Sequence, residues 1–194
     1  MSFEVKKKYT SFVMFPSYVE SPTHYRFEGQ DPQEKILLLL RAHPITNLKW
    51  IIPAILLFFF PFLLPIALGF LNIDLSPLPQ AFELAFSIIN YLIVLVIIFE
   101  GYLGWYFNVY IVTDKNIIDV DFNSLLYKNI DVAPLRNIED TSSSIGGILQ
   151  VIFHYGNVFI QTAGASRNID FLDVPRPHQV ADFILDETHK IHGN

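Results

Sequence analysis

Between Trp50 and Leu71 the chain runs for 22 residues without a charged side chain. At about 1.5 Å per residue, a helix of that length crosses the roughly 30 Å hydrocarbon core of a bilayer. A polar turn over Asn72–Gln80, holding Asp74, Ser76, Pro77 and Pro79, is followed by a second apolar run from about Phe82 to Tyr106. Residues 51–106 as a whole contain no Lys or Arg, and their only acids are Asp74, Glu83 and Glu100. The sequence therefore predicts a membrane α-helical hairpin over 49–107, with transmembrane helices at about 50–71 and 82–106 and the lipid bilayer as its surroundings. The competing reading, two buried helices of a large soluble protein, fails because the remaining residues are too few to cover them. Pro53, Pro61 and Pro65 would break a helix in water, but membrane helices tolerate proline where neighbouring groups satisfy the freed carbonyls. A kink is expected near Pro61.

Aromatic side chains mark where such helices leave the membrane. Trp50 stands at the start of the first span, and Tyr102, Trp105 and Tyr106 stand at the end of the second. In a hairpin these four share one interface, and they are the candidate membrane-interface residues. Basic residues flank that end: Lys35, Arg41 and Lys49 precede the first span, Lys115 and Lys128 follow the second, and the connecting turn has none. By the positive-inside rule the chain is a two-span protein of the cell membrane with both termini cytoplasmic and the Asp74 turn outside. Glu100 is the candidate functional residue within the spans, because ionisable groups at membrane depth are costly and are kept for a use. It lies within two turns of the cytoplasmic end, where pairing with Lys49 is the structural alternative to handling an ion or proton.

Residues 1–30 show no period and read as an N-terminal tail. Lys6, Lys7 and Lys8 resemble the basic start of a signal peptide, but no apolar stretch follows them, so the spans are expected to remain in the mature chain. Over 31–48 a juxtamembrane helix is expected. Asp31 can cap, Pro32 suits the first helical position, and Glu34 completes a capping box ahead of the apolar Ile36–Leu40. Five apolar residues fit a strand as well.

From Asn108 the period changes to two. Apolar and acidic residues alternate through Ile118-Asp119-Val120-Asp121-Phe122, the pattern of a half-buried strand. Val109–Thr113 precedes it across a turn at Asp114–Asn116, and Leu125–Ile130 follows after Asn123-Ser124. Further strands are expected at Asn137–Ser142, Val158–Ala163 and Asn168–Val174, while Ile148–Phe153 suits either a helical turn or a strand. Pro177 opens a final helix with Val180, Phe183, Ile184 and Ile191 on one face. Residues 108–194 thus read as an α+β domain, a bent antiparallel sheet sandwich or barrel capped by a C-terminal helix.

That order resembles pleckstrin-homology-like (PH-like) domains. The string Trp105 to Ile118 is similar to the passage from membrane helix to first hairpin in bacterial PH-like (YdbS-like) membrane proteins, where the pattern is Y-x-V-T-D-K-R-I-I. The strand around Gly156-Asn157-Val158 and the proline-led start of the last helix resemble the same family. Asn116 departs from it, standing where arginine is common. The resemblance implies a fold and a place in the membrane; it brings no reaction, cofactor or catalytic residues.

The chemistry of the flanks narrows the function. There are no cysteines, which excludes disulfides and thiolate metal sites. Residues 107–194 carry six basic and eleven acidic side chains, so recognition of nucleic acid or phosphoinositide through a basic patch is disfavoured. His189 and His192, three apart on the last helix, read as solvent-facing rather than as metal ligands. Ser142–Ser144 lacks a nucleophile elbow, and Gly164-Ala165-Ser166 lacks the pattern of a phosphate loop. No catalytic, cofactor or metal site is therefore expected. The reading that remains is a membrane-held PH-like domain acting as a protein-binding or scaffolding module, with a protein partner or self-association. Two alternatives stay open: a subunit of an oligomeric transporter lined by Glu100, or a membrane enzyme assembling Glu100, His43 and Arg41.

Overall fold

The computed structural model describes residues 17–22, 25–27, 29–73, 79–124, 127–163 and 168–192. Two long helices stand out from a small two-sheet body. α1 covers Leu48–Phe70 and α2 covers Gln80–Phe107. Both are long and apolar enough to cross a membrane, and only 6% and 11% of their most apolar stretches are buried. Helices at the centre of a soluble protein would be covered; these are not. Asp74 and the other residues 74–78 of the expected turn lie outside the described residues, as do the first 16 residues of the tail and the turn at Gly164–Ser166.

α1 continues through all three of its prolines. Pro61 has no N–H to give to the carbonyl of Leu57 one turn earlier. Asn90 of α2, almost wholly buried, fills that role: its Nδ2 donates to the Leu57 oxygen at 2.9 Å. A polar residue inside an apolar helix and a proline inside its neighbour are thus two halves of one solution.

The expected juxtamembrane helix over 31–48 is not formed. Ile36–Leu40 is a strand, β2, and only a 3-10 turn at Pro44–Asn47 precedes α1. The local signal was real: Asp31 N donates to Glu34 Oε2, and Glu34 N to the Asp31 carbonyl, but the turn goes no further. What decides the matter is pairing. β2 lies between β1 (Tyr18–Glu20) and β3 (Val109–Thr113), antiparallel to both, with Leu38 opposite Val112 and Leu40 opposite Tyr110. Its two faces enter different clusters, Leu38 and Leu40 in the main core and Ile36 and Leu39 in a second, which is why it is apolar throughout. The hairpin is therefore inserted between two neighbouring strands of one sheet, and strands from before α1 complete the body expected to begin at 108.

β4 (Asn116–Ser124) and β5 (Tyr127–Pro134) extend that sheet to five strands in the order β1-β2-β3-β4-β5. The reversal between β4 and β5 comes after Ser124, later than Asn123-Ser124 suggested, and residues 125–126 lie outside the described residues. A second sheet holds β6 (Ile138–Ser144), β7 (Tyr155–Thr162) and β8 (Ile169–Pro175), all antiparallel. Between β6 and β7 sits α3 (Ile148–Phe153), so the ambiguous apolar run is helical. α4 (Pro177–His192) closes the fold, burying Val180, Ala181, Ile184 and Thr188; Phe183 is partly buried and Ile191 lies largely outside. The main core gathers both sheets and α4 around Phe171, whose ring stacks on Tyr110 with centroids 4.6 Å apart.

The alternation in β4 has an unexpected sense. Ile118 and Val120 face the second cluster, while Asp119 shares its face with Ile117 of the main core and is 7% exposed. Tyr110 and Asp131 flank it across the ladder. At this point the sheet is covered on both faces, so neither half of the pattern was free to face water.

Candidate functional site

The strands meet the helices at one end of the hairpin, and the candidate residues collect there. Trp50, in the first turn of α1, donates from Nε1 to Asn47 Oδ1 at 3.0 Å and lays its ring against Gly101 of α2. Any side chain at 101 would overlap that ring, so glycine is required for the close approach. Trp105 donates from Nε1 to the Ala42 carbonyl at 2.8 Å. Tyr102 stacks on Tyr106 with centroids 5.8 Å apart. The Arg41 guanidinium lies 5.0 Å from the Tyr106 ring centre, and its Nε donates to the Tyr106 carbonyl at 3.1 Å. That carbonyl belongs to the last turn of α2, where a helix runs out of its own backbone donors and side chains take their place. These aromatic residues thus form a clasp between the segment leaving β2 and the end of α2.

Asp173 is the centre of the junction, and no sequence pattern marks it. It stands in β8 with φ 55°, a left-handed conformation that Asp adopts more readily than most residues. Its carbonyl accepts from His43 N at 2.7 Å, and its N–H donates to Asn157 Oδ1 at 2.9 Å. One carboxylate oxygen meets Lys49 Nζ at 3.2 Å and the other accepts from Gln150 Nε2 at 3.3 Å. One residue therefore joins β7, β8, α3 and the first turn of α1. The ion pair is itself worth little, since Lys49 is largely exposed; its value is in fixing position.

This arrangement reassigns several expected roles. Lys49 pairs with Asp173, not with Glu100, because the second sheet presents its carboxylate beside the start of α1. Glu100 lies on the exposed surface of α2. His43 caps the 3-10 turn, its Nδ1 accepting from Ile45 N at 3.3 Å, and its ring stacks on Tyr155 at 5.2 Å. Burial lowers the pKa of His43, and the Asp173 charge opposes that shift only in part. Arg41 and His43 thus hold the junction together, and their described hydrogen bonds do not lead to Glu100.

Elsewhere, Glu34 and the β3–β4 turn interlock. Thr113 Oγ1 donates to Glu34 Oε1 at 2.5 Å and accepts from Asn116 N at 2.7 Å, while Asn116 Nδ2 reaches the same Glu34 oxygen at 2.9 Å. The amide of Asn116, the departure from the family pattern, is therefore engaged by a buried carboxylate. His192 Nε2 lies 3.0 Å from the Arg136 carbonyl, beside a shallow depression of about 400 Å³ that His189 also lines. Ser143 Oγ lies 2.6 Å from His178 Nδ1, a pairing of residues 35 apart that no local pattern announces. Among the described residues no three His, Asp or Glu side chains are placed to hold a metal ion.

No curated protein and no solved structure matches the chain. The family described as bacterial PH domain matches residues 45–188, from the 3-10 turn before α1 to the last turns of α4. With nearly three quarters of its length matched, and with antiparallel sheets closed by a C-terminal helix, this chain belongs to the bacterial PH domain family.

Proposed function

We propose that the chain is a two-span membrane protein whose PH-like domain is held at the cytoplasmic face as a protein-docking module without catalytic activity of its own. The exposed apolar surfaces of α1 and α2 support the spans, and the Lys and Arg count about their ends supports the orientation. The observation that carries the docking reading is an apolar ridge on the outer face of the five-stranded sheet. It runs from Ile36, Leu39, Ile111 and Ile118 through Val120, and continues to Ile130 and Val132 on the terminal strand. There the cover ends, leaving Ile130 46% and Val132 55% exposed. An apolar stripe on a sheet-edge strand suits an extended segment of a partner, added as a further strand.

Replacing both residues with lysine leaves the core untouched and should abolish docking. Purification of the native chain from membranes in mild detergent is expected to retain a stoichiometric protein that the I130K/V132K variant loses. Identical partner sets for the two proteins would refute the assignment. Single cysteines introduced at Ser76 and Ser143 test the orientation, because labelling of Ser143→Cys from outside intact cells would reverse it. A second reading, an oligomeric transporter subunit, draws on the exposure of Glu100 amid apolar neighbours. Recovery of a homo-oligomer whose transport stops in Glu100→Gln would favour it.

A further inference from the structure

Among the described residues, the most exposed apolar segment outside α1 and α2 is α3. Ile148 is 80% exposed, Leu149 51%, Val151 60%, Ile152 60% and Phe153 42%. Five of the helix's six residues are thus large apolar groups facing outward. No charged residue occurs from Ile145 to Phe153, in a domain otherwise rich in acids. Only Gln150 turns inward: its Oε1 accepts from Gly146 N at 2.6 Å and its Nε2 donates to Asp173. A single turn and a half of helix gains little from its own hydrogen bonds, so this display of apolar surface needs a reason beyond helix formation.

Its position supplies one. The carboxylate that holds Gln150 also holds Lys49, the second residue of α1, so α3 is tied through one side chain to the start of that helix. A second tie runs through His43, whose ring lies 6.3 Å from that of Phe153 and whose backbone leads into the 3-10 turn before α1. The apolar helix therefore sits level with the end of the hairpin where the aromatic belt lies. We infer that α3 is a monolayer foot: it inserts its apolar side chains into the leaflet on the domain side and fixes the tilt of the PH-like domain against the bilayer. This rests on the reading that α1 and α2 span the membrane. The occupant is the bilayer interface and not a second protein, because the foot is continuous with the belt and uncharged. An uncharged contact also suits an acidic domain, which an anionic surface repels. Apolar helices lying at an interface sink about 5–10 Å below the headgroups.

The test uses the full chain reconstituted in phosphatidylcholine–phosphatidylglycerol vesicles, with single cysteines carrying an environment-sensitive fluorophore. Three sites are compared: Val151→Cys in the foot, Asp182→Cys on the exposed side of α4, and Phe60→Cys within α1. Lipids bearing a nitroxide high on the acyl chain are expected to quench the label at 151 about threefold or more above that at 182, because insertion brings it to the depth given for interfacial helices. Phe60→Cys should be quenched by deep nitroxides. Loss of quenching at 60 would sink the spanning reading. Quenching at 60 with equal, weak quenching at 151 and 182 would overturn the foot alone. Blue-shifted emission at 151 without lipid quenching would mean that protein covers α3, which also overturns it. All three substituted positions are exposed, and I148E/I152E gives a second check: it should lower quenching at 151 severalfold while leaving quenching at 60 unchanged.

Discussion

Asn90→Leu tests whether a side chain on one long apolar helix completes the backbone of the other. In the native chain the Leu57 carbonyl has lost its usual donor because residue 61 is proline, and Asn90 Nδ2 supplies one at 2.9 Å. Leucine has the same branching at Cγ as asparagine, though more bulk, and no donor, so the variant leaves a carbonyl unpaired between two apolar helices. An unsatisfied buried polar group costs about 1–3 kcal/mol, and interhelical hydrogen bonds in membranes average about 0.6 with a maximum near 1.7 kcal/mol. A loss of about 1 kcal/mol is expected, lessened by the added apolar surface. The decisive comparison is a double-mutant cycle with Pro61→Ala. Alanine restores an N–H at that position, which can take the Leu57 carbonyl by the ordinary helical bond. In that background Asn90→Leu should cost nearly nothing, giving a coupling of about 1 kcal/mol between the sites. The assay is unfolding of the hairpin in mixed micelles as the SDS fraction is raised, followed by helical circular dichroism. Equal costs of Asn90→Leu with and without the Pro61→Ala substitution would refute the reasoning, since Asn90 would then not be standing in for the missing donor.

Two further outcomes are expected. The pKa of Asp119 is pushed up to about 7, chiefly by burial and further by the charges of Asp121, Asp131 and Asp170. Because the native pKa exceeds the unfolded one, its contribution favours the fold below pH ~4, declines as pH rises toward 7 and is flat above. Asp119→Asn should therefore match the native chain at pH 4 and exceed it at pH 8 by about 2 kcal/mol, a figure reduced from ~4 for solvent screening. Guanidinium unfolding read from the methyl resonances of Ile117 and Ile160 checks this, and a difference between the two proteins that does not change with pH would contradict it. At the junction, Gly101→Ala should displace the Trp50 ring and destabilise the hairpin by about 1–3 kcal/mol. Gly69→Ala, with open space around it, should be neutral; the Trp50 indole N–H resonance distinguishes the two.

How much of this was legible in the chain depends on the range over which each feature is decided. A long apolar helix announces itself by length and the absence of charge, which are local properties, so α1 and α2 could be placed from their own residues. β4 and α4 were legible because each carries its own period, α4 repeating its apolar positions at helical spacing through Val180 and Ile184, and β3 because it precedes β4 across the turn at Asp114–Asn116. β2 was not. Ile36–Leu40 follows a genuine helix-start signal, and its five apolar residues have no period because both faces are buried. Its partner in pairing, β3, arrives only after the whole hairpin.

The junction was partly visible. Trp50, Tyr102, Trp105 and Tyr106 were singled out by their type and place, but what each contacts was settled by folding. Lys49 had a plausible partner in Glu100, nearby by hairpin geometry, and instead met Asp173, 124 residues away along the chain. Asp119 read as the wet side of a strand because nothing in β4 shows that a second sheet will cover that face. The outward display of α3 was equally hidden, since an apolar hexapeptide looks the same whether it turns into a core or toward a membrane. The sequence by itself determined which segments are apolar, periodic or charged, because solvation acts on each residue where it stands. Tertiary structure alone decided which of them meet, because pairing, burial and charge partnership depend on residues the chain brings together only by folding.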